Sequence, residues 1–421
     1  MPLSVENSFT KAKKFRNNGE INQAANIYKS VLAHFPKNKR ALIELNNLSN
    51  IQKFNIINDQ RNSLSSNTIY EAAISHQVKG NIDKAVDYYH KVIEMEPTHT
   101  EAYRNMGIAY REKGDLNKSE ESFLKAIEIN PNYAEAYFSL GNLLKLKGDL
   151  KSAIKSYEKA LKMKPDFIVC YNNLGNAFKV IGDLDSAITS FKNAIKYKTD
   201  YFEAYYNLGI VLNEKGDLNE AIKSFENSIK INQNSPEIYY NLGNALQEIR
   251  DLEYSIKCYK KAISLNPNYG SAYTNLGHAL KEKSGIDAAI DCYKHAVNCT
   301  PQSDDFHYNL GVALKVKGDL NGAYDAHNKA LKINPNSHSS RCQKLFLEAQ
   351  LCDWDSFLKD KHLFSTLGTE KIEIDPFAAI ILEDNPESHK LRSQLYVKNN
   401  YNKNPLPLKL KNGDKKDRLR I

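Results

Sequence analysis

No stretch of 18 consecutive apolar residues occurs in this 421-residue chain, so no membrane-spanning helix is encoded. The opening MPLSVENSFTKAKKFRNNGE lacks the apolar core of roughly 7–15 residues that a secretory signal requires, and a cytoplasmic location is the expectation. Cysteine is scarce. Cys170, Cys258, Cys292, Cys299, Cys342 and Cys352 form no CxxC pair, which argues against a zinc cage or a disulfide framework and for reduced, mostly buried thiols. Phosphate-loop, HExxH and nucleophile-elbow patterns are all missing. No residue is therefore assigned a catalytic, metal-binding or cofactor-binding role. The formal charge is +8, yet residues 401–421 supply +5 of it through Lys403, Lys409, Lys411, Lys415, Lys416, Arg418 and Arg420 against Asp414 and Asp417. A nucleic-acid footprint would spread over a face. A basic tail following a nearly balanced 400 residues does not predict a nucleic-acid partner.

What the chain does have is a period. AYFSLGNLLKLKGDLKSAIKSYEKALKMKPDF begins at Ala136, and the same frame returns at Cys170, Ala204, Ile238, Ala272 and Phe306, each 34 residues on. An apolar trio at i, i+3 and i+7 (Tyr137, Leu140, Leu144; Tyr171, Leu174, Phe178; Tyr205, Leu208, Leu212) marks one face of a first helix. Glycine follows the leucine (Gly141, Gly175, Gly209, Gly243, Gly277, Gly311), where a side chain would obstruct close packing. A KGDL-type turn reverses the chain. A second helix follows with a small residue at the crossing (Ala153, Ala187, Ala221, Ala323) and an aromatic such as Tyr157, Phe191 or Tyr259, and a proline ends the unit. The pattern resembles the tetratricopeptide repeat, with eight consecutive copies over 68–339 and one more within 1–67, where 41–67 reads as a degenerate unit running into a linker. The resemblance implies an all-α, superhelical solenoid with a concave groove.

Side chains that the core does not need are the candidates for binding. The residue before each leucine lies roughly 130° from the apolar stripe at 100° per residue. It is Asn105, Ser139, Asn173, Asn207, Asn241, Asn275 and Asn309. Each asparagine offers one acceptor and two donors, so such a row can pair with the backbone of an extended peptide without reading its side chains; a purely local structural role is the competing account. Acidic residues open each first helix at Glu101, Glu135, Glu203, Glu237 and Asp305, where the helix dipole favours them, and they disfavour acidic peptide ends as ligands. His278, His307 and His327 fall at positions filled elsewhere by other residue types and read as packing or surface histidines.

Past Pro335 the frame dissolves. SSRCQKLFLEAQLCDWDSFLKDKHLFSTL keeps helical periodicity and holds Trp354, so residues 340–367 read as capping helices in which a large aromatic seals the array. The segment LCDWDSF at 351–357, then DPFAAIILEDNPE at 375–387, then RLRI at 418–421, is similar to bacterial SPINDLY-type proteins, homologues of the protein O-GlcNAc transferases of glycosyltransferase family 41. The resemblance implies that 368–421 is a linker leading toward a two-lobed catalytic region, with RLRI its first strand. The family's catalytic histidine and nucleotide-sugar site match no position here. On this reading the chain is the polypeptide-binding region of an enzyme that moves GlcNAc from UDP-GlcNAc to serine or threonine, inactive by itself, and residues 411–421 are expected to be poorly ordered. The repeat groove would line up polypeptide substrates partly through the asparagine row. A stand-alone interaction scaffold is the alternative, and self-association is left open.

Overall fold

The computed structural model describes residues 5–62, 65–360, 387, 390, 391, 393 and 394, with the backbone alone for 52–62 and 360. Among these residues there are helices and no strands. Two compact units divide the chain, one ending at Asn173 and the other beginning at Leu174. The first unit holds the hairpins Val5–Asn17 with Ile21–His34, Ser66–Val78 with Ile82–Met95, Thr100–Lys113 with Leu116–Ile129, and Ala134–Leu146 with Leu150–Met163. The second holds Phe202–Lys215 with Leu218–Ile231, Pro236–Glu248 with Leu252–Leu265, Gly270–Ser284 with Ile286–Cys299, Asp304–Lys317 with Leu320–Ile333, and His338–Gln350 with Trp354–Asp360. Residues of Ile168–Val180 are shared between the units, and Leu184–Tyr197 lies in the second. Val5–Asn17 and Ile21–His34 pack against Lys39–Asn62 through the second of them; from Ser66 onward successive hairpins within each unit pack on one another, and their first helices also touch. This is the all-α solenoid class that the period predicts.

The KGDL turn works through two local devices. Its glycine ends the first helix in the left-handed region, as at Gly114 with φ of 86°, a conformation without steric penalty only for glycine. Its aspartate caps the second helix: Asp115 Oδ1 accepts the Lys118 N–H at 3.1 Å, and Asp149, Asp183, Asp251 and Asp319 do the same in their turns. Each cap is worth about 1 kcal/mol over alanine.

Between the two helices the recurrent glycine meets the recurrent aromatic. A Cβ on Gly141 would sit 2.6 Å from Tyr157 Cε1, and one on Gly209 would sit 2.6 Å from Phe225 Cε1. The ring fills the space the glycine vacates and is fully buried, a contribution of about 3 kcal/mol per ring. In several repeats the ring is a tyrosine whose hydroxyl finds an acceptor. Tyr157, Tyr259 and Tyr293 hydroxyls find Asn142, Asn244 and His278 within 2.9 Å, each 15 residues earlier, and Tyr89 finds Gln77. Phe123 and Phe225 face Ile108 and Ile210 at the same offset. The correspondence is partial: Phe191 follows Asn176 at the same offset, and the buried Tyr28 hydroxyl has no partner.

Two sequence readings need correction. Lys39–Asn62 is one continuous helix, so helix extends well into the stretch read as a linker. Its composition carries no proline or glycine to stop it. Trp354 does not seal the array: it is 54% exposed, with Phe357 edge-on at 5.8 Å. Leu345 and Leu347 on His338–Gln350 are the large apolar side chains that the terminal hairpin buries instead. DPFAAIILEDNPE, apart from Glu387, and residues 411–421, including RLRI, lie outside the described residues.

Candidate functional site

The asparagines of the first helices sit half-buried on one face, and the amide hydrogens of Asn105, Asn173, Asn241 and Asn275 are directed at neighbouring repeats. In the first unit Asn105 Nδ2 donates to Tyr70 Oη at 2.8 Å, and its Oδ1 accepts from Arg104 Nη1 at 3.1 Å. Asn173 Nδ2 donates to Asn142 Oδ1 at 2.8 Å, the same oxygen that accepts from the buried Tyr157 hydroxyl. Ser139 departs from the row. It is buried at 3% exposure, its hydroxyl donates to the Glu135 carbonyl, and Arg104 Nε lies 3.2 Å from it.

In the second unit the bonds interlock. Asn241 Nδ2 reaches Tyr206 Oη at 3.0 Å and the Glu237 carbonyl at 2.9 Å. Asn275 Nδ2 reaches Tyr240 Oη at 3.2 Å and Asn244 Oδ1 at 2.8 Å, while Tyr259 Oη lies 2.9 Å from both Asn244 Oδ1 and Gln247 Oε1. Asn207 and Asn309 are half-buried on the same helical position. Burial raises the Tyr259 and Tyr157 phenols far above the ordinary value, so both remain neutral donors. The amide N–H groups are thus structural bridges between repeats. The Oδ1 atoms of Asn173, Asn241 and Asn275 accept no hydrogen bond among the described residues, and they are what the face can offer a ligand.

The sequence reading missed the bridge partners. Tyr70, Tyr206 and Tyr240 occupy the place immediately before an asparagine or its equivalent position, and Asn142, Asn244 and His278 recur three residues after it. That second recurrence was the available signal, since i and i+3 share a helical face.

Three clefts accompany this arrangement. One of about 470 Å³ in the second unit is bounded by Asn213, Asn244, Gln247, Glu248, Asn275 and Glu282. Two others involve the second helices: one of about 570 Å³ at Tyr239, Tyr254, Lys257 and Cys258, and one of about 420 Å³ at Tyr103, Tyr110 and Lys118. Cys258 is no nucleophile, because burial pushes its thiol up to about 12. Among the described residues no group of His, Cys, Asp and Glu could hold a metal ion. No described helix is long and apolar enough to cross a membrane. His278 bonds Tyr293, His307 bonds the Pro301 carbonyl, and His327 is fully buried, so all three are packing histidines.

Stacked helical hairpins with an amide-bearing face define a helical-repeat protein suited to holding other polypeptides. The repeats are tetratricopeptide repeats. A model described as TPR repeat matches 107–148, 181–214, 211–249 and 280–318, and models described as tetratricopeptide repeat match 134–167, 236–269 and 258–291. No curated protein matches the chain. Among solved structures, MamA is similar at 30% identity over 39% of this chain and 95% of its own, with a TM-score of 0.38. YrrB, described as a TPR protein with an unusual peptide-binding site, is 23% identical over 44% of this chain and 95% of its own, at 0.38. The APC/C hetero-tetramer Cut9–Hcn1 is 18% identical over 81% of this chain and 75% of its own, at 0.44.

Proposed function

We propose that this protein binds extended polypeptide along the asparagine face of its first helices, the ligand's main-chain N–H groups donating to asparagine Oδ1 atoms. The observation that carries the reading is the division of labour within the amides of Asn173, Asn241 and Asn275. The donors are held by Tyr206, Tyr240, Asn142 and Asn244, while the acceptors of Asn173, Asn241 and Asn275 stay unused. A pre-oriented acceptor loses little entropy on binding. The test replaces Asn207, Asn241 and Asn275 together by alanine. Peptide affinity is expected to fall about ten-fold or more, with helix content by circular dichroism unchanged. Unchanged affinity would leave the asparagines a structural role alone.

A finer reading concerns what the bound polypeptide is for. The likeness of LCDWDSF and the segments after it to SPINDLY-type proteins supports a polypeptide-binding region of an O-GlcNAc transferase-like enzyme, with UDP-GlcNAc as donor and protein serine or threonine as acceptor. No residue of this chain is assigned to the donor. The second reading is an interaction scaffold, and it rests on the same face. Reading the coding DNA beyond the Ile421 codon separates the two. A catalytic segment there supports the enzyme reading, and unrelated sequence supports the scaffold.

A further inference from the structure

Seven residues beyond each ladder asparagine, two helical turns on and hence on the same face, stand Glu214, Glu248 and Glu282. All three are exposed, and none makes an ion pair among the described residues. Each lies in the last turn of its helix, where the macrodipole disfavours a carboxylate. Equivalent positions elsewhere are apolar, as at Leu146 and Val316, or held by a neighbour, as Glu112 is by Gln77. Three consecutive repeats therefore break a local rule without an internal partner to offset it. At the other end of the face Glu203 and Glu237 occupy first turns, which the dipole explains.

The carboxylates are not isolated. Glu248 and Glu282 bound the 470 Å³ cleft of the second unit together with the ladder amide Asn275 and its partner Asn244. In the same wall Asn213 Oδ1 is buried and has no hydrogen-bond partner, the state of an acceptor awaiting a donor. Two carboxylates and an unused amide oxygen make the cleft rich in acceptors, suited to a guanidinium or ammonium group with its several N–H donors. Arg250 also lines the cleft, and Lys281 adjoins Glu282; against the five glutamates of the face they leave it acidic.

Resting on the polypeptide-binding reading above, we propose that the second unit selects basic segments: an extended peptide whose main chain runs along Asn207, Asn241 and Asn275, and whose arginine or lysine side chain enters the cleft between Glu248 and Glu282. The test uses the full chain and three fluorescein-labelled peptides of equal length, with Lys-Ser-Ala, Gln-Ser-Ala and Glu-Ser-Ala repeats, read by anisotropy at low and moderate salt. The lysine peptide is expected to bind at least about ten-fold tighter than the glutamine peptide, with the difference shrinking as salt rises. The E248Q/E282Q protein should lose most of that difference and keep its affinity for the glutamine peptide. Because the substitutions relieve an unfavourable dipole contact, its melting temperature should be unchanged or raised. Equal binding of the lysine and glutamine peptides, or of the lysine peptide to both proteins, overturns the proposal and leaves the ladder reading standing. If none of the three peptides binds, both readings fall.

Discussion

His327 sits where the other repeats place a phenylalanine or tyrosine ring against the recurrent glycine, and replacing it with phenylalanine should stabilise the protein. The imidazole is fully buried. A Cβ on Gly311 would lie 2.6 Å from its Nε2, and Tyr308 stands edge-on at 5.6 Å. Neither ring nitrogen has a hydrogen-bond partner, because the position 15 residues earlier is Val312. An unsatisfied buried polar group costs about 1–3 kcal/mol, which His327→Phe removes while adding apolar contact. Tyrosine would restore an unpaired hydroxyl and should help less. Burial, with Lys315 contributing, lowers the His327 pKa from 6.5 to about 4. A depressed histidine means that the unfolded chain binds the proton more readily. Its penalty on the folded state is absent above the unfolded value and grows as pH falls toward the folded one, reaching about 2 kcal/mol at pH 5. Hydrogen exchange of residues 304–350 between pH 7 and pH 4.5, with intrinsic rates corrected for pH, reads the local stability that a repeat array need not share globally. The variant should gain protection at pH 7, and its advantage should widen toward pH 5. A variant less protected at pH 7, or pH profiles that run parallel, would refute the reasoning.

Two further substitutions test the packing and turn arguments. Gly209→Ala places a methyl 2.6 Å from Phe225 Cε1, and the overpacking should cost about 1–3 kcal/mol in urea denaturation; a neutral result would mean the ring has room to move. Arg250 holds φ of 64° where other turns use glycine, so Arg250→Gly should stabilise by about 1 kcal/mol, checked by the same denaturation, with destabilisation counting against strain at that turn.

The repeat was legible because its constraints are local and recur. A glycine every 34 residues, an aromatic 16 later and a KGDL turn each have one physical reason, and the structure gives that reason a distance: 2.6 Å at Gly141 and 3.1 Å at the Asp115 cap. The terminal hairpin was less legible. Trp354 is unique in the chain, so no periodic comparison bears on whether it is buried, and its size alone suggested a seal that Leu345 and Leu347 provide. The continuation of Lys39–Asn62 past residue 54 was missed for a related reason: asparagine and serine in NIINDQRNSLSSN favour turns by composition, and a single unrepeated segment offers no period to outweigh that.

The asparagine row shows where a helical-wheel argument stops. The wheel places Asn105, Asn173, Asn241 and Asn275 off the apolar stripe, and so on a face available to ligand. It cannot say that a tyrosine hydroxyl 35 residues earlier already holds three of those four amides. An amide has two chemically distinct ends, and at Asn173, Asn241 and Asn275 the structural bond consumes only the donor, which is the basis of the binding role proposed for the other end. Ser139 stands in contrast: its hydroxyl donates to the Glu135 carbonyl, accepts from Arg104, and is buried. Glu214, Glu248 and Glu282 extend the logic to charge. A carboxylate in a helix's last turn with no internal cation contributes nothing that the fold requires, so its explanation lies in what comes to the face from outside.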